Sequence, residues 1–323
     1  MSSATVAVVG AGGRLRRQVV SSLEATPEVD RVVVLEDLDD LSTEGTPLAG
    51  VATLVHLDRQ SCPDADRAAR ALRSRWLVDA AADVGVGHVV VLSSAVVYGA
   101  WADNPVPLTE EAPMRPNPGA DYAQEKAELE RCWATWADDR DGRTLAVLRP
   151  ALVVGDDEEQ WLAVALRAAT RWGVGDAGTP SQFVHVDDVA SAVTLAAVRG
   201  LDGAYNVAPE GWLPEAEVQA LAGTPLRPPI PPRLARGLAR WCWSRGLGGV
   251  APELVPYASF PWVVASDRLR EAGWEPAHSG AETLMRDYPV TPWARLGAKP
   301  RRELALGGGV VLAVGVPVGM AAL

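Results

Sequence analysis

The sequence predicts an α/β protein in which a doubly wound parallel sheet is followed by a smaller C-terminal domain. Short β-rich runs at residues 4–9 and 31–35 alternate with stretches of helical periodicity. Further runs at 51–58 and 89–92 continue this alternation, which is typical of parallel sheets with helices on both faces. The length of 323 residues is sufficient for one large domain of this kind and a smaller one.

The composition excludes several classes of function. A net charge of −11 and a pI near 4.9 argue against a nucleic-acid-binding surface. The three cysteines are scattered and form no Cys-x-x-Cys, which favours reduced thiols in a cytoplasmic setting. The four histidines lie far apart in the sequence, so we expect no metal site. No basic region followed by an apolar core is found at the N-terminus, and no signal peptide is expected.

A glycine-rich turn follows the first β-rich run and precedes an amphipathic helix that we expect to reach about Leu23. Strand, glycine turn and helix in this order predict a dinucleotide-binding unit. The glycines permit a tight turn, and the amides at the helix start meet a pyrophosphate. The predicted cofactor-binding residues of this turn are Gly10, Ala11, Gly12, Gly13, Arg14 and Leu15.

The second β-rich run ends at Glu36, about 26 positions after the first glycine. A carboxylate at this distance accepts hydrogen bonds from the adenosine ribose hydroxyls and repels a 2′-phosphate. We therefore predict that Glu36 selects NAD over NADP, and Asp37, where an arginine would favour NADP, supports the same choice. The alternative is a solvated acidic loop, since Asp39 and Asp40 follow at once.

A tyrosine and a lysine stand four residues apart in the segment 121–126. On a helix this spacing places Tyr122 and Lys126 on one face. A free tyrosine hydroxyl titrates near ~10, and a nearby ammonium group makes it a better acid at neutral pH. A surface pair on a helix is the simpler interpretation of such a motif in isolation, so its context decides between the two.

That context is the run 89–99, a buried-strand pattern that ends in Ser93 and Ser94. LSSAVVYG followed by YAQEK resembles the extended short-chain dehydrogenases/reductases, the NAD-dependent epimerase/dehydratase family, over about residues 4–290. The resemblance implies a Rossmann domain in which Ser94 holds the substrate oxygen and Tyr122 exchanges its proton. It also implies that Lys126 binds the nicotinamide ribose and keeps the tyrosine acidic, which is acid–base catalysis beside a hydride acceptor.

Other segments extend the resemblance. Residues 51–58 resemble the family's VVHLAA, which implies that Leu57 lies along the cofactor; within this run we expect His56 to be a core histidine. The segment LRPALVVG resembles the family's LRPxxVxG, which passes the nicotinamide and implies cofactor contacts at Pro150 and Val153. In FVHVDDVA, we interpret Asp187 and Asp188 as helix-capping carboxylates.

Two positions depart from the family pattern. Arg16 stands where the third glycine of Gly-x-x-Gly-x-x-Gly is expected, and that glycine normally lets the helix pack closely on the strand. Ser181 stands where sugar-nucleotide epimerases commonly carry an arginine for the diphosphate. The second departure favours a lipophilic alcohol or ketone over a sugar nucleotide as substrate, although other arginines could replace the missing one.

The resemblance also implies a division of the chain. We expect the NAD-binding domain to span residues 1–157, with 184–208 returning to it and 203–208 forming an edge strand of its sheet. The substrate domain is predicted from 158–183 and 209–290, and a linker from 291–303.

Two features of the C-terminal part bear on membranes. Arg233, Arg236 and Arg240 recur at helical spacing opposite Leu234, Leu238 and Trp241, which favours the solvated side of an amphipathic helix over a lipid-binding face. Residues 304–323 carry no charge and follow several cations. We favour a membrane anchor there over a disordered or self-packed tail, with the catalytic domain on the cytoplasmic side.

The sequence therefore predicts an NAD-dependent oxidoreductase or epimerase that transfers a hydride at a carbinol or carbonyl carbon. Ser94, Tyr122 and Lys126 are its catalytic residues, and a sugar nucleotide or a lipophilic alcohol or ketone is its substrate. A homodimer is compatible with this prediction. The alternative is a non-catalytic NAD-binding regulatory or scaffold protein. Arg16 in place of a glycine supports this alternative, whereas the intact set of Ser94, Tyr122 and Lys126 argues against it.

Overall fold

The computed structural model describes residues 4–10, 12–35, 48–58, 67–155, 162, 166, 179–221, 231–245 and 251–287. Several predictions lie outside these residues: those on Ala11, Glu36 and Asp37, those on parts of the expected substrate domain, and those on the whole of 291–323. No helix of the described ranges is both long enough and apolar enough to cross a bilayer.

The main sheet has six strands, all of them parallel. Two shorter strands, β6 (Leu152–Val154) and β7 (Phe183–His185), form a separate parallel pair. In spatial order the main sheet contains β2 (Val29–Leu35), β1 (Ala4–Gly10), β3 (Thr53–Leu57), β4 (His88–Leu92), β5 (Thr144–Pro150) and β8 (Gly203–Val207).

The helices begin with α1 (Gly13–Glu24), which buries Leu15, Val19 and Leu23 at intervals of one helical turn. Those that follow are α2 (Arg67–Asp83), α3 (Asp121–Asp138), α4 (Val186–Arg199), α5 (Glu215–Leu221), α6 (Pro232–Ser244), α7 (Val255–Ser259), α8 (Asp267–Glu271) and α9 (Gly280–Asp287).

The core lies on both faces of the sheet. In β1, Val6 and Val8 pack on the face covered by α1 and α4, whereas Ala7 and Val9 pack on the face covered by α2 and α3. Successive residues of a strand point to opposite faces, so a strand buried on both sides is a continuous apolar run. The predicted doubly wound parallel sheet is therefore confirmed.

The chain crosses the sheet a last time at β8, which pairs with β5 at the sheet edge. The prediction that residues 203–208 return to the sheet is thereby confirmed. Because parallel strands all end at the same edge, Gly10, Leu57, Leu92 and Pro150 stand together at the carboxyl end of the sheet, where α/β proteins bind their ligands. The predicted division into two domains stays a prediction.

Candidate active site

The backbone of the glycine turn lies so close to the end of β3 that a side chain at Gly10 would not fit. Gly10 has a φ of 103°, and a Cβ at this position would lie 2.1 Å from the carbonyl oxygen of Leu57. Helix α1 starts at Gly13 directly after its N-cap Gly12; no side chain caps this end, and the first turn contains no acidic residue. Its amides can therefore meet an anion. This cradle fits the pyrophosphate of a dinucleotide.

Two arginines of the turn use their side chains within the protein. Arg14 donates from Nε and Nη2 to the carboxylate of Asp187, at 3.0 and 2.6 Å. Arg16 folds back so that its Nη1 lies 3.4 Å from the carbonyl oxygen of Gly10. Leu15 points into the core. The predicted cofactor contacts of residues 14 and 15 would therefore be made by their backbone atoms.

Tyr122 and Lys126 lie on the same face of α3, as their spacing predicts. The Nζ of Lys126 is 5.6 Å from the centre of the Tyr122 ring. Lys126 is only 1% exposed, so its ammonium group is held inside the protein, while Tyr122 is half-buried. This pair is not a solvated surface pair.

The ammonium of Lys126 has a carboxylate partner that was not predicted. Its Nζ donates to Asp58 Oδ2 at 2.8 Å, to the Asp58 carbonyl at 3.3 Å and to the Leu92 carbonyl at 3.2 Å. Burial lowers the pKa of Lys126, but the negative charge of Asp58, with Tyr122 and Glu130, outweighs burial and raises it. The lysine is therefore a buried cation. The signal in the sequence was an aspartate where VVHLAA has an alanine.

Ser94 lies two residues after the end of β4 and caps the short 3-10 turn Ala95–Tyr98. Its Oγ accepts a weak bond of 3.4 Å from the Val96 amide. Val96 and Tyr122 line one cleft, which is otherwise bordered mainly by apolar groups, including Ala123, Leu254 and Tyr257. The hydroxyl of Tyr257 closes this wall by donating to the Val96 carbonyl at 3.0 Å. The turn held by Ser94 and the phenol of Tyr122 thus border the same space.

A buried polar network lies below this cleft. Glu130, one turn after Lys126 on α3, accepts from Arg149 Nη2 at 2.6 Å and from Arg149 Nε at 3.1 Å, and it also accepts from the Ser93 hydroxyl. Arg149 donates its Nη1 to the Tyr98 hydroxyl at 2.9 Å. The helix that carries Tyr122 is thereby fastened to the ends of β4 and β5. The spacing from Tyr122 through Lys126 to Glu130 could have indicated this third residue.

Pro150 ends β5, and Val153 lies in β6 beside Val184. The structure places both in strand positions after Arg149, at the carboxyl end of the sheet. Their cofactor contacts stay a prediction.

The histidines differ from the prediction in one respect. His56 is a core histidine, as expected: it is buried and its Nδ1 accepts from Trp133 Nε1 at 3.1 Å. His185 and His278, however, are neighbours in the fold, with ring centres 4.1 Å apart. Together with Asp187 they form a group of potential metal ligands in the described part of the chain. The wide spacing of the histidines in the sequence was therefore not a sound reason to exclude a cluster, since distance along the chain does not limit tertiary contacts, and the absence of a metal site stays a prediction.

This histidine cluster is bordered by cations. Arg14 holds Asp187 through two hydrogen bonds, and Arg286 Nη1 lies 3.0 Å from His278 Nε2. Burial, followed by the charge of His278, lowers the pKa of His185. A divalent cation would meet the charge of both arginines, so the arrangement disfavours a metal.

The predicted capping role of Asp187 and Asp188 was wrong. The N-cap of α4 is His185, whose Nδ1 accepts from the Asp187 amide at 3.3 Å. Both carboxylates stand in the first turn and reach other elements instead. Asp187 binds Arg14, and Asp188 accepts from the amides of Ala277 and His278 at 2.7 and 3.1 Å. They therefore join distant segments to the start of α4.

Comparisons with known proteins show the family and the fold of the chain. Residues 7–208 match the family described as NAD dependent epimerase/dehydratase family. An uncharacterised protein of Sinorhizobium fredii is 29% identical over 250 residues, which are 72% of this chain and 59% of that protein. An uncharacterised protein of Mycobacterium tuberculosis is 24% identical over 216 residues, which are 64% of this chain and 56% of that protein. The chain thus spans less than two thirds of the length of these curated relatives.

Solved structures show the same fold. A UDP-glucose 4-epimerase of Thermotoga maritima, solved with UDP-glucose, has a TM-score of 0.62 and 20% identity, covering 88% of this chain and 97% of its own. The dTDP-glucose 4,6-dehydratase DesIV of Streptomyces venezuelae, solved with NAD and TYD, has a TM-score of 0.60 and 20% identity, covering 90% of this chain and 97% of its own.

The parallel sheet, the glycine turn and the Ser, Tyr and Lys set define a Rossmann-fold protein of the extended short-chain dehydrogenase/reductase type. The chain belongs to the NAD-dependent epimerase/dehydratase family. NAD is the cofactor for which that family is named.

Proposed function

We propose that this protein is an oxidoreductase or epimerase that moves a hydride at a carbinol or carbonyl carbon, with Tyr122 as its acid–base group. The observation that carries the proposal is the buried ammonium of Lys126, 5.6 Å from the Tyr122 ring, on the helix that borders the apolar cleft. A buried cation favours the phenolate form of a neighbouring tyrosine. A surface pair with no chemical role would not be buried in this way.

The residues that would hold the cofactor are those of the glycine turn, with Leu57 and Lys126 farther along the sheet edge. Bound NAD supplies the hydride acceptor. During oxidation of a carbinol, Tyr122 Oη takes the hydroxyl proton as the carbon loses its hydride. Ser94 Oγ donates a hydrogen bond to the same oxygen, and Lys126 stabilises the phenolate that the transfer requires. Reduction runs through the same groups with the proton returning from Tyr122.

The apolar lining of the cleft supports a lipophilic alcohol or ketone as substrate. Most of the residues that line the cleft are apolar, among them Leu254 and Val96, and the acidic residues that border it are Asp121 and Glu253. The backbone of Ser181, at the position of the diphosphate-binding arginine of many epimerases, forms a bridge with Leu213 at 2.9 and 2.8 Å. A sugar nucleotide, as in the solved relatives, is the competing substrate class.

One observation favours the non-catalytic alternative. The ammonium of Lys126 has three protons, and the three oxygens that accept from it belong to Asp58 and Leu92. A ribose hydroxyl would have to displace one of them. The carboxylate of Asp58 also offsets the positive charge on which Tyr122 depends. A protein that binds NAD weakly and catalyses nothing would be consistent with this pairing.

The test begins with the dinucleotide. We would denature the full-length protein, identify any released nucleotide, and titrate NAD and NADP into emptied protein. Tightly held NAD indicates an epimerase-like cycle that regenerates its cofactor, and exchangeable NAD indicates a dehydrogenase or reductase. NADP binding tighter than NAD would contradict the choice of cofactor made from Glu36.

Turnover would then be followed with UDP-glucose and with a series of secondary aliphatic alcohols and ketones. Tyr122→Phe should lower turnover by about 10²- to 10⁴-fold, the range of a lost acid–base group, and should leave NAD affinity within a few-fold. Tyr205→Phe is the matched control, because Tyr205 lies in β8, is not among the residues that line the cleft, and donates its hydroxyl to the Asp202 carbonyl. Full turnover by Tyr122→Phe would refute the mechanism, and NAD binding with no turnover on any substrate would support the non-catalytic alternative.

Two further parts of the proposal concern assembly and location. A homodimer is supported by α2, which exposes Leu72 and Trp76 to solvent. Light scattering of the purified protein tests it, and a monomeric mass at micromolar concentration would contradict it. For the tail 304–323, we propose an anchor that leaves the catalytic part in the cytoplasm. Fractionation of cells that express the protein with and without residues 304–323 tests it, and an unchanged soluble distribution would rule out the anchor.

A further inference from the structure

Helix α6 turns its large apolar side chains away from the protein. Leu234, Leu238 and Trp241 are 66%, 40% and 51% exposed, whereas the small residues Ala235, Ala239 and Cys242 are buried. At about 3.6 residues per turn, each set forms its own stripe along the helix. Arg233, Arg236 and Arg240 are exposed, as expected of the solvated side of an amphipathic helix, but the apolar side of α6 is exposed as well. A stripe of this kind on a water-exposed helix indicates a binding surface.

The sequence segment that contains α6 has a charge opposite to the net charge of the whole chain. From residue 218 to 252 there is no acidic residue, but there are five arginines: Arg227, Arg233, Arg236, Arg240 and Arg245. The whole chain, in contrast, has a net charge of −11. Arg245 lies over the Trp241 ring, 5.5 Å from its centre. A partner of this surface is expected to be apolar in its interior and anionic at its boundary.

We propose that α6 is a docking surface for an anionic phospholipid bilayer. The stripe formed by Leu234, Leu238 and Trp241 enters the interface between headgroups and acyl chains, and the arginines contact the lipid phosphates. Exposed tryptophan beside arginine suits this position, because the indole ring prefers the membrane interface and arginine reaches phosphate. The surface requires neither a membrane-spanning tail nor the reaction proposed above.

The location of α6 connects this surface to the cleft. The helix packs against the turn Pro252–Leu254 and against α7. These elements carry Leu254 and Tyr257, which form one wall of the cleft beside Tyr122. A bilayer bound at α6 would therefore lie next to the elements that enclose the cleft.

The experiment is vesicle flotation of the full-length protein. One set of vesicles is phosphatidylcholine alone, and the other contains about 30 mol% phosphatidylglycerol, enough to give a negative surface potential. We expect binding to the anionic vesicles to be stronger. Leu234→Ser with Trp241→Ser should weaken it by at least about tenfold. Arg233→Gln with Arg240→Gln should weaken binding to the anionic vesicles about 25-fold, at about fivefold per arginine, and barely change binding to the neutral ones.

Matched variants control for general effects of surface substitution. Trp76→Ser removes a tryptophan that is 54% exposed on α2, close to the 51% of Trp241, and should leave binding unchanged. Arg131→Gln with Arg140→Gln removes two exposed arginines elsewhere and should have little effect. All the substituted residues are exposed, so the variants are expected to fold.

Three results would overturn the proposal. Equal binding to neutral and anionic vesicles would exclude the anionic lipid surface as the partner. Binding that is abolished by Leu312→Arg in the tail but unaffected by the α6 substitutions would assign the membrane contact to residues 304–323. A change in mass by light scattering in the Leu234→Ser, Trp241→Ser variant, with vesicle binding retained, would identify α6 as a contact between two copies of the chain.

Discussion

The buried ion pair between Glu130 and Arg149 provides the most direct test of how the active-site helix is held. Glu130 is 3% exposed and Arg149 is 7% exposed. Glu130→Gln keeps the volume of the side chain but removes the negative charge. One oxygen of the pair becomes an NH₂ group that faces arginine donors, because both carboxylate oxygens accept from Arg149. The guanidinium is then a buried cation without its counter-charge.

Removing one partner of a buried pair costs about 3–5 kcal/mol, since the remaining charge stays out of water. In the wild type, burial lowers the pKa of Arg149, but Glu130 and Tyr98 outweigh burial and raise it. In the variant the guanidinium still keeps its proton, because arginine is not deprotonated in proteins, so the penalty remains. With a urea m-value of about 3 kcal/mol/M, the unfolding midpoint should fall by about 1–1.7 M. Activity should fall as well, because Glu130 fixes the helix that carries Tyr122.

The matched control is Glu128→Gln, the same substitution at an exposed position of the same helix. Its free energy of unfolding should change by no more than about 0.5 kcal/mol. The double variant Glu130→Met, Arg149→Met removes both charges and should recover most of the stability lost in Glu130→Gln. If the double variant is as unstable as the single one, the penalty comes from lost packing and the explanation by an uncompensated charge is refuted.

Three further predictions concern the edge of the sheet. Gly10→Ala should prevent normal folding or cofactor binding, because its Cβ would meet the Leu57 carbonyl at 2.1 Å; wild-type NAD affinity and stability would contradict this geometry. Burial lowers the pKa of His56 to about 4, below its usual 6.5. Between pH 6.5 and pH 4 the unfolded state therefore binds a proton at His56 that the folded state does not bind. The free energy of unfolding should fall by up to about 3 kcal/mol over this range. His56→Asn should flatten this part of the pH profile of stability, as measured by urea unfolding. Asp58→Asn should destabilise the protein by about 1–3 kcal/mol at pH 7, since it leaves Lys126 buried without its carboxylate. The loss is smaller than for Glu130 because the Asp58 side chain is 26% exposed. The difference in stability between Asp58→Asn and the wild type should shrink as the pH rises towards the pKa of lysine in the unfolded chain. A difference that stays constant up to pH about 10 would argue against a charge effect.

Local patterns were sufficient for most of the fold. The strands, the glycine turn and the face shared by Tyr122 and Lys126 follow from periodicities within a few residues, so the sequence predicts them directly. The strand order could be expected only through the family resemblance. A sequence pattern does not by itself say which strands become neighbours.

The partners of the site residues were harder to predict, because they come from distant segments. Asp58 meets Lys126 across 68 positions, and Arg14 meets Asp187 across 173. Helix α6 shows a second limit. Its pattern shows two different faces but not which one packs inward, and the small face of Ala235 and its neighbours allows the closer approach.

Helix α3 shows why charges that add little stability are still useful. Tyr122, Lys126 and Glu130 follow one another at intervals of four residues, so one face of the helix presents a phenol, a cation and an anion in sequence. Lys126 is fastened to the ends of β3 and β4, and Glu130 to the ends of β4 and β5. Apolar residues in place of the two ion pairs could give equal or greater stability, but they would tolerate a shift of the helix along the sheet. The ion pairs of Lys126 and Glu130 are directional and lie one turn apart, so a shift of the helix by one residue would break both of them. The position of the Tyr122 hydroxyl, one turn farther towards the N-terminus, is therefore set by the two pairs below it.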